Sequence, residues 1–105
     1  YKPHMKYEDE SSFYQGGGFW QRQHHIYSFP FYYIDYVIAQ TDAFQYKIWM
    51  QKDYRAAWES YLGFCQASAS DFFTNTVKAA GLDSPFEEGT IGKIAQGLRE
   101  IYNKM

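Results

Sequence analysis

The chain has 105 residues, a net charge of −2 and a single cysteine. That length suits one domain with a modest core, and one cysteine excludes an internal disulfide and fits a reducing, cytoplasmic compartment. The Lys and Arg residues are scattered from Lys2 to Lys104 without a run or stripe, which argues against a nucleic-acid partner, since phosphate binding needs clustered cations.

Aromatic residues make up 22% of the chain, with 11 Tyr and 9 Phe. No segment sustains a period of two, so the expected class is all-α: short antiparallel helices around one long, buried central helix. No obvious internal boundary interrupts residues 1–105, and no stretch reads as a transmembrane span, so no membrane partner is expected.

In chain order, Tyr1 to Gln15 shows no sustained period and reads as an extended leading segment. His4 followed by Glu8 and Asp9 is a weak metal hint, because no second His stands at helical spacing. Gly16, Gly17 and Gly18 form a flexible joint. They are not a phosphate loop, since no Gly-Lys-Ser/Thr follows. A short helix is expected from about Gly18 to Tyr27.

Pro30 presets φ for a first helical turn, so the central helix is expected to run from about Pro30 to Met50. Its apolar residues lie on all sides, while Asp35, Gln40, Thr41, Asp42, Gln45 and Lys47 interrupt it too often for lipid. It reads as a core helix, and a few short neighbours cannot enclose it. The chain is therefore expected to pack against more protein.

Asp53 is placed to cap the next helix. There Tyr54, Ala57, Trp58, Tyr61, Leu62 and Cys65 repeat at helical spacing as one buried stripe, making Cys65 a core thiol rather than a nucleophile. Ser68 and Asp71 resemble a capping box for a helix from Asp71 to Ala80, with Phe73, Val77 and Ala80 inward and Gly81 as its stop. Ser84, Pro85 and Glu87 start a single turn ended by Gly89. Thr90 is expected to cap a last helix with Ile91, Ile94, Ala95, Leu98, Ile101, Tyr102 and Met105 on one stripe.

His24 and His25, adjacent on a helix, point about 100° apart and make a poor pair of metal ligands. Tyr33 and Tyr36, at i and i+3, lean toward one point that His25 can also reach. Phenol and imidazole donors converging on a dry pocket suit a developing oxyanion. By the same physics these tyrosines also serve as core or interface residues, with rings buried and hydroxyls on backbone carbonyls.

The blocks GGFWQRQ, HIY, PFYYIDYVIAQ, AWESYLGFC, AAGL and PFEEG closely resemble the C-terminal end of oligoendopeptidase F, within the thimet-oligopeptidase-like zinc metallopeptidases. The resemblance runs from about Tyr7 onward. It implies a place in a larger helical clamshell that hydrolyses short peptides, with zinc bound by residues outside this chain, because the family's His-Glu-x-x-His motif is absent. It also implies that His25, Tyr33 and Tyr36 stabilise the tetrahedral oxyanion, with Tyr32 as a weaker, substrate-binding candidate and His24 peripheral. The expected partners are the remainder of the peptidase polypeptide and short peptides, and this chain alone is expected to be inactive. The alternative is a non-catalytic helical module that binds a peptide or partner chain through an aromatic groove.

Overall fold

The computed structural model describes residues 12–67 and 70–105. The hint at His4, Glu8 and Asp9, most of the leading segment and the Ser68 cap lie outside them. Among the described residues the regular structure is entirely helical, without a strand. The chain divides into two compact units, residues 1–36 and 37–105, and the boundary that the sequence does not announce falls inside the longest helix.

In the first unit, α1 (Ser12–Gln15) leads into a 3-10 turn (Gly18–Arg22) and then α2 (His24–Ser28). One helix was expected here. Gln23 breaks it, because its backbone is extended and its N–H closes back on Trp20 O at 3.0 Å, the tighter 3-10 pattern. Gly18 is buried under the Phe13 ring, which would lie 2.5 Å from a Cβ at that position, so a larger residue there would have to displace the ring. The Arg22 guanidinium sits over the Tyr14 and Phe19 rings at 5.7 and 5.5 Å.

The long helix α3 spans Tyr33–Lys52. It starts three residues later than Pro30 implies, since Phe31 has φ 69° and a left-handed residue interrupts the helical ladder. Its packing also reverses the sequence expectation. The buried residues are Thr41, Asp42 and Tyr46, two of them polar, while Ile34, Tyr36 and Val37 are about half exposed. Thr41 is satisfied by donating to Val37 O at 2.8 Å; Asp42 Oδ1 is buried with no partner among the described residues. The described residues do not by themselves enclose α3.

In the second unit, Tyr46, Val77, Ala80 and Leu82 form the core, with Trp49 and Phe64 packed against it. Asp53 Oδ1 accepts from Ala56 N at 3.0 Å and caps α4 (Tyr54–Ala67) as expected. The predicted inward stripe of α4 does not hold. Only Ala57 of that set is buried, and Tyr54, Trp58, Tyr61, Leu62 and Cys65 are exposed. The sector facing the core is Ala57, Ser60 and Phe64, because Ser60 Oγ donates to Ala80 O at 2.7 Å and lies 3.3 Å from the Tyr46 hydroxyl.

Helix α5 (Phe73–Ala79) starts later than Asp71. The Asp71 carboxylate accepts from Phe72 N and Asn75 Nδ2 just outside it, and these bonds lower its pKa. Val77 and Ala80 turn inward, but Phe73 stays at the surface against Phe86. Gly81, at φ 75°, ends α5, and Leu82 N bonds to Val77 O at 3.1 Å, folding Leu82 into the core. Helix α6 (Thr90–Tyr102) is preceded by left-handed Gly89, so Thr90 is its first residue rather than its cap. Of its stripe Ile94 is buried, whereas Ile91, Tyr102 and Met105 are exposed.

Candidate functional site

The first unit gathers one aromatic cluster. α2 carries His25, the turn after it carries Tyr32, and the first turns of α3 carry Tyr33 and Tyr36. The turn is closed by Phe29 N on His25 O at 3.2 Å and Tyr32 N on Phe29 O at 3.2 Å. Left-handed Phe31 sets the angle at which the chain enters α3. A bulky residue in that conformation costs about 1–2 kcal/mol, and the strain falls between the imidazole and the tyrosines.

The His25 ring lies flat on Tyr32, with centroids 5.9 Å apart and planes 9° apart. It is 5.5 Å from Tyr33 and 6.0 Å, edge-on, from Tyr36. Tyr36 is edge-on to both other tyrosines, at 5.6 Å from Tyr32 and 5.7 Å from Tyr33. The three phenols are 50%, 39% and 52% exposed at positions 32, 33 and 36. His24 is turned away, with Nδ1 3.3 Å from Ser28 Oγ and its ring against Phe29.

Tyr36 has a displaced acidity. Its pKa is raised, first by its side-chain hydrogen bond with Tyr32, then by the charge of Tyr32, slight burial, and Tyr33 and Asp35. The hydroxyl therefore keeps its proton at neutral pH and remains a donor. The strongest partner of Tyr36 is thus Tyr32, one residue before the i, i+3 tyrosine, and the i, i+4 spacing of residues 32 and 36 is the sequence signal for it. Phe31 had no such signal.

Among the described residues, no three His, Cys, Asp or Glu side chains come together to hold a metal ion. The His24 and His25 rings are 6.4 Å apart at 71° and do not converge. These residues do not fit a zinc site. No helix among them is long and apolar enough to cross a membrane.

No family model and no curated protein matches the sequence. Solved structures do. One, of a protein assigned as an oligoendopeptidase F, is 40% identical with a TM-score of 0.81, over 92% of this chain and 17% of that one. Another, PZ peptidase A with an inhibitor, is 42% identical with the same TM-score and the same coverage. The chain corresponds to a segment of the oligoendopeptidase F family. It spans 17% of the length of each of these relatives.

Proposed function

We propose that the chain is the substrate-facing part of a zinc-dependent oligopeptidase of the oligoendopeptidase F type, with His25, Tyr33 and Tyr36 donating hydrogen bonds to the oxyanion that forms as a peptide bond is attacked. Tyr32 binds the substrate backbone and holds the Tyr36 hydroxyl. The observation that carries this reading is the convergence of three half-exposed phenols on one imidazole, at ring separations of 5.5–6.0 Å. Rings there only to fill a core of this chain would be covered, whereas these three are 39–52% exposed.

The chemistry asked of the cluster is electrostatic. As the carbonyl carbon becomes tetrahedral, its oxygen gains charge, and donors already aimed at that position need not reorganise. The edge-on contacts of Tyr36 with Tyr32 and Tyr33 hold its ring, and the flat stacking of His25 on Tyr32 holds the imidazole. The metal and the base that activates water belong to other residues of such an enzyme.

In a complete peptidase chain carrying this segment, Tyr36→Phe or Tyr33→Phe is expected to lower kcat by ~10²-fold or more with little change in Tm. His25→Ala should act alike. An unchanged kcat in the Phe variants, or a His25→Ala effect confined to Tm, refutes the role. A Kd for peptide that responds to these substitutions while kcat does not favours the non-catalytic binding module.

A further inference from the structure

Helix α4 has three sectors, and only two of them are explained by the fold described above. At about 100° per residue, Ala57, Ser60 and Phe64 share the sector turned to the core, and Arg55 and Glu59 share a polar one. Arg55 Nε and Glu59 Oε1 pair at 3.0 Å in solvent, with side chains 90% and 64% exposed. The third sector holds Tyr54, Trp58, Tyr61, Leu62 and Cys65, of which Tyr61 borders the core, its ring edge-on to that of Tyr46 at 5.5 Å. The sector lies about 110° from the core-facing one, and the four large side chains are 38–64% exposed.

This third sector is contiguous and nearly without charge. Trp58 and Tyr61 rings lie 5.6 Å apart, and the Tyr61 hydroxyl is engaged by Cys65 on the next turn. Such a strip is costly to leave in water, since its large apolar side chains are only partly removed from solvent. The charged pair shows that α4 has a side suited to solvent, and this strip is not it.

We propose that the strip is a packing seam, and that its occupant is the remaining polypeptide of an oligoendopeptidase F-type chain. The occupant is argued from length: both similar structures contain this segment as 17% of their chain, so most of each lies outside the matched part. The seam is carried by a different element from the His25 cluster. Substrate contact is assigned to α2 and the start of α3, and chain-to-chain packing to α4. The inference rests on the family correspondence and needs no particular role for His25 or the tyrosines.

Cys65 is the probe, because it sits on the strip and is exposed. Iodoacetamide alkylation of Cys65, followed by mass spectrometry, is compared between the 105-residue chain and a complete peptidase chain carrying it. The expected result is alkylation slowed at least ~100-fold in the complete chain, as for a thiol reached only by local opening. Rates within about threefold of each other overturn the seam. Alkylation of the 105-residue chain that slows with its own concentration assigns the strip to a second copy, and overturns the occupant.

Trp58→Lys is the companion variant. It should lower the Tm of the complete chain by ~5 °C or more and leave that of the 105-residue chain in place. An equal drop in both assigns Trp58 to the core and refutes the seam. An active peptidase whose Cys65 stays reactive sinks the seam and spares the donor reading. A protected Cys65 beside an unaffected Tyr36→Phe kcat does the reverse.

Discussion

Asp42 is the least comfortable group in the second unit, and replacing it with Asn should stabilise the chain in a pH-dependent way. The residue is 5% exposed, its Oδ1 has no partner among the described residues, and burial raises its pKa from 3.8 to about 6. That displacement corresponds to about 3 kcal/mol of penalty on the ionised form in the folded chain. The sign follows from proton counting. Between these two values the folded chain holds the proton that the unfolded chain has lost, so stability is greatest below the unfolded pKa and falls as pH rises through about 6.

Asn keeps the shape and removes the charge, but buries an amide that also wants a partner. The net gain at pH 8 is therefore expected to be about 2 kcal/mol, a rise in Tm on the order of 10 °C for a unit of this size. At pH 4 the gain should vanish. The assay is thermal or urea unfolding of parent and Asp42→Asn across pH 4 to 8, reading the difference between the two. The difference isolates Asp42, since Asp71, whose pKa is lowered by Asn75 and the Phe72 N–H, contributes an opposite slope in both proteins. A difference that is constant with pH, or that shrinks toward alkaline pH, refutes the reasoning.

Two substitutions test the packing of the second unit. Gly97→Ala should destabilise by ~1–3 kcal/mol, since the new Cβ would stand 2.8 Å from Ile48 Cδ1 where α6 approaches α3; an unchanged urea midpoint would mean that the approach is looser. Ser60→Ala removes the donor to Ala80 O and the neighbour of the Tyr46 hydroxyl. It should cost ~1–3 kcal/mol, and a loss below about 0.5 kcal/mol would show that water replaces both contacts.

Local signals were readable where the physics is local. Asp53 caps α4 because a carboxylate beside the first free N–H groups needs no distant partner, and Gly81 ends α5 because a left-handed residue without a Cβ costs little. The spacing of Tyr33 and Tyr36 placed their rings together for the same reason. Phe31 was unreadable: every local preference opposes a bulky residue at φ 69°, and its side chain, 91% exposed, gives no packing reason for that conformation. In the sequence Thr41 and Asp42 read as interruptions of an apolar helix, yet with Tyr46 they are its buried residues.

The sequence by itself determined the helical class, the Asp53 start of α4, the Gly81 end of α5 and the nearness of His25 to the tyrosines, since these follow from periodicity, caps and separations of a few residues. The tertiary structure decided which side of each helix is covered. On α4 two of the three sectors are apolar, and hydrophobicity has no direction of its own. The choice fell to one geometric fit, in which Ser60 reaches both the Ala80 carbonyl and the Tyr46 hydroxyl, and it left Trp58, Leu62 and Cys65 facing outward.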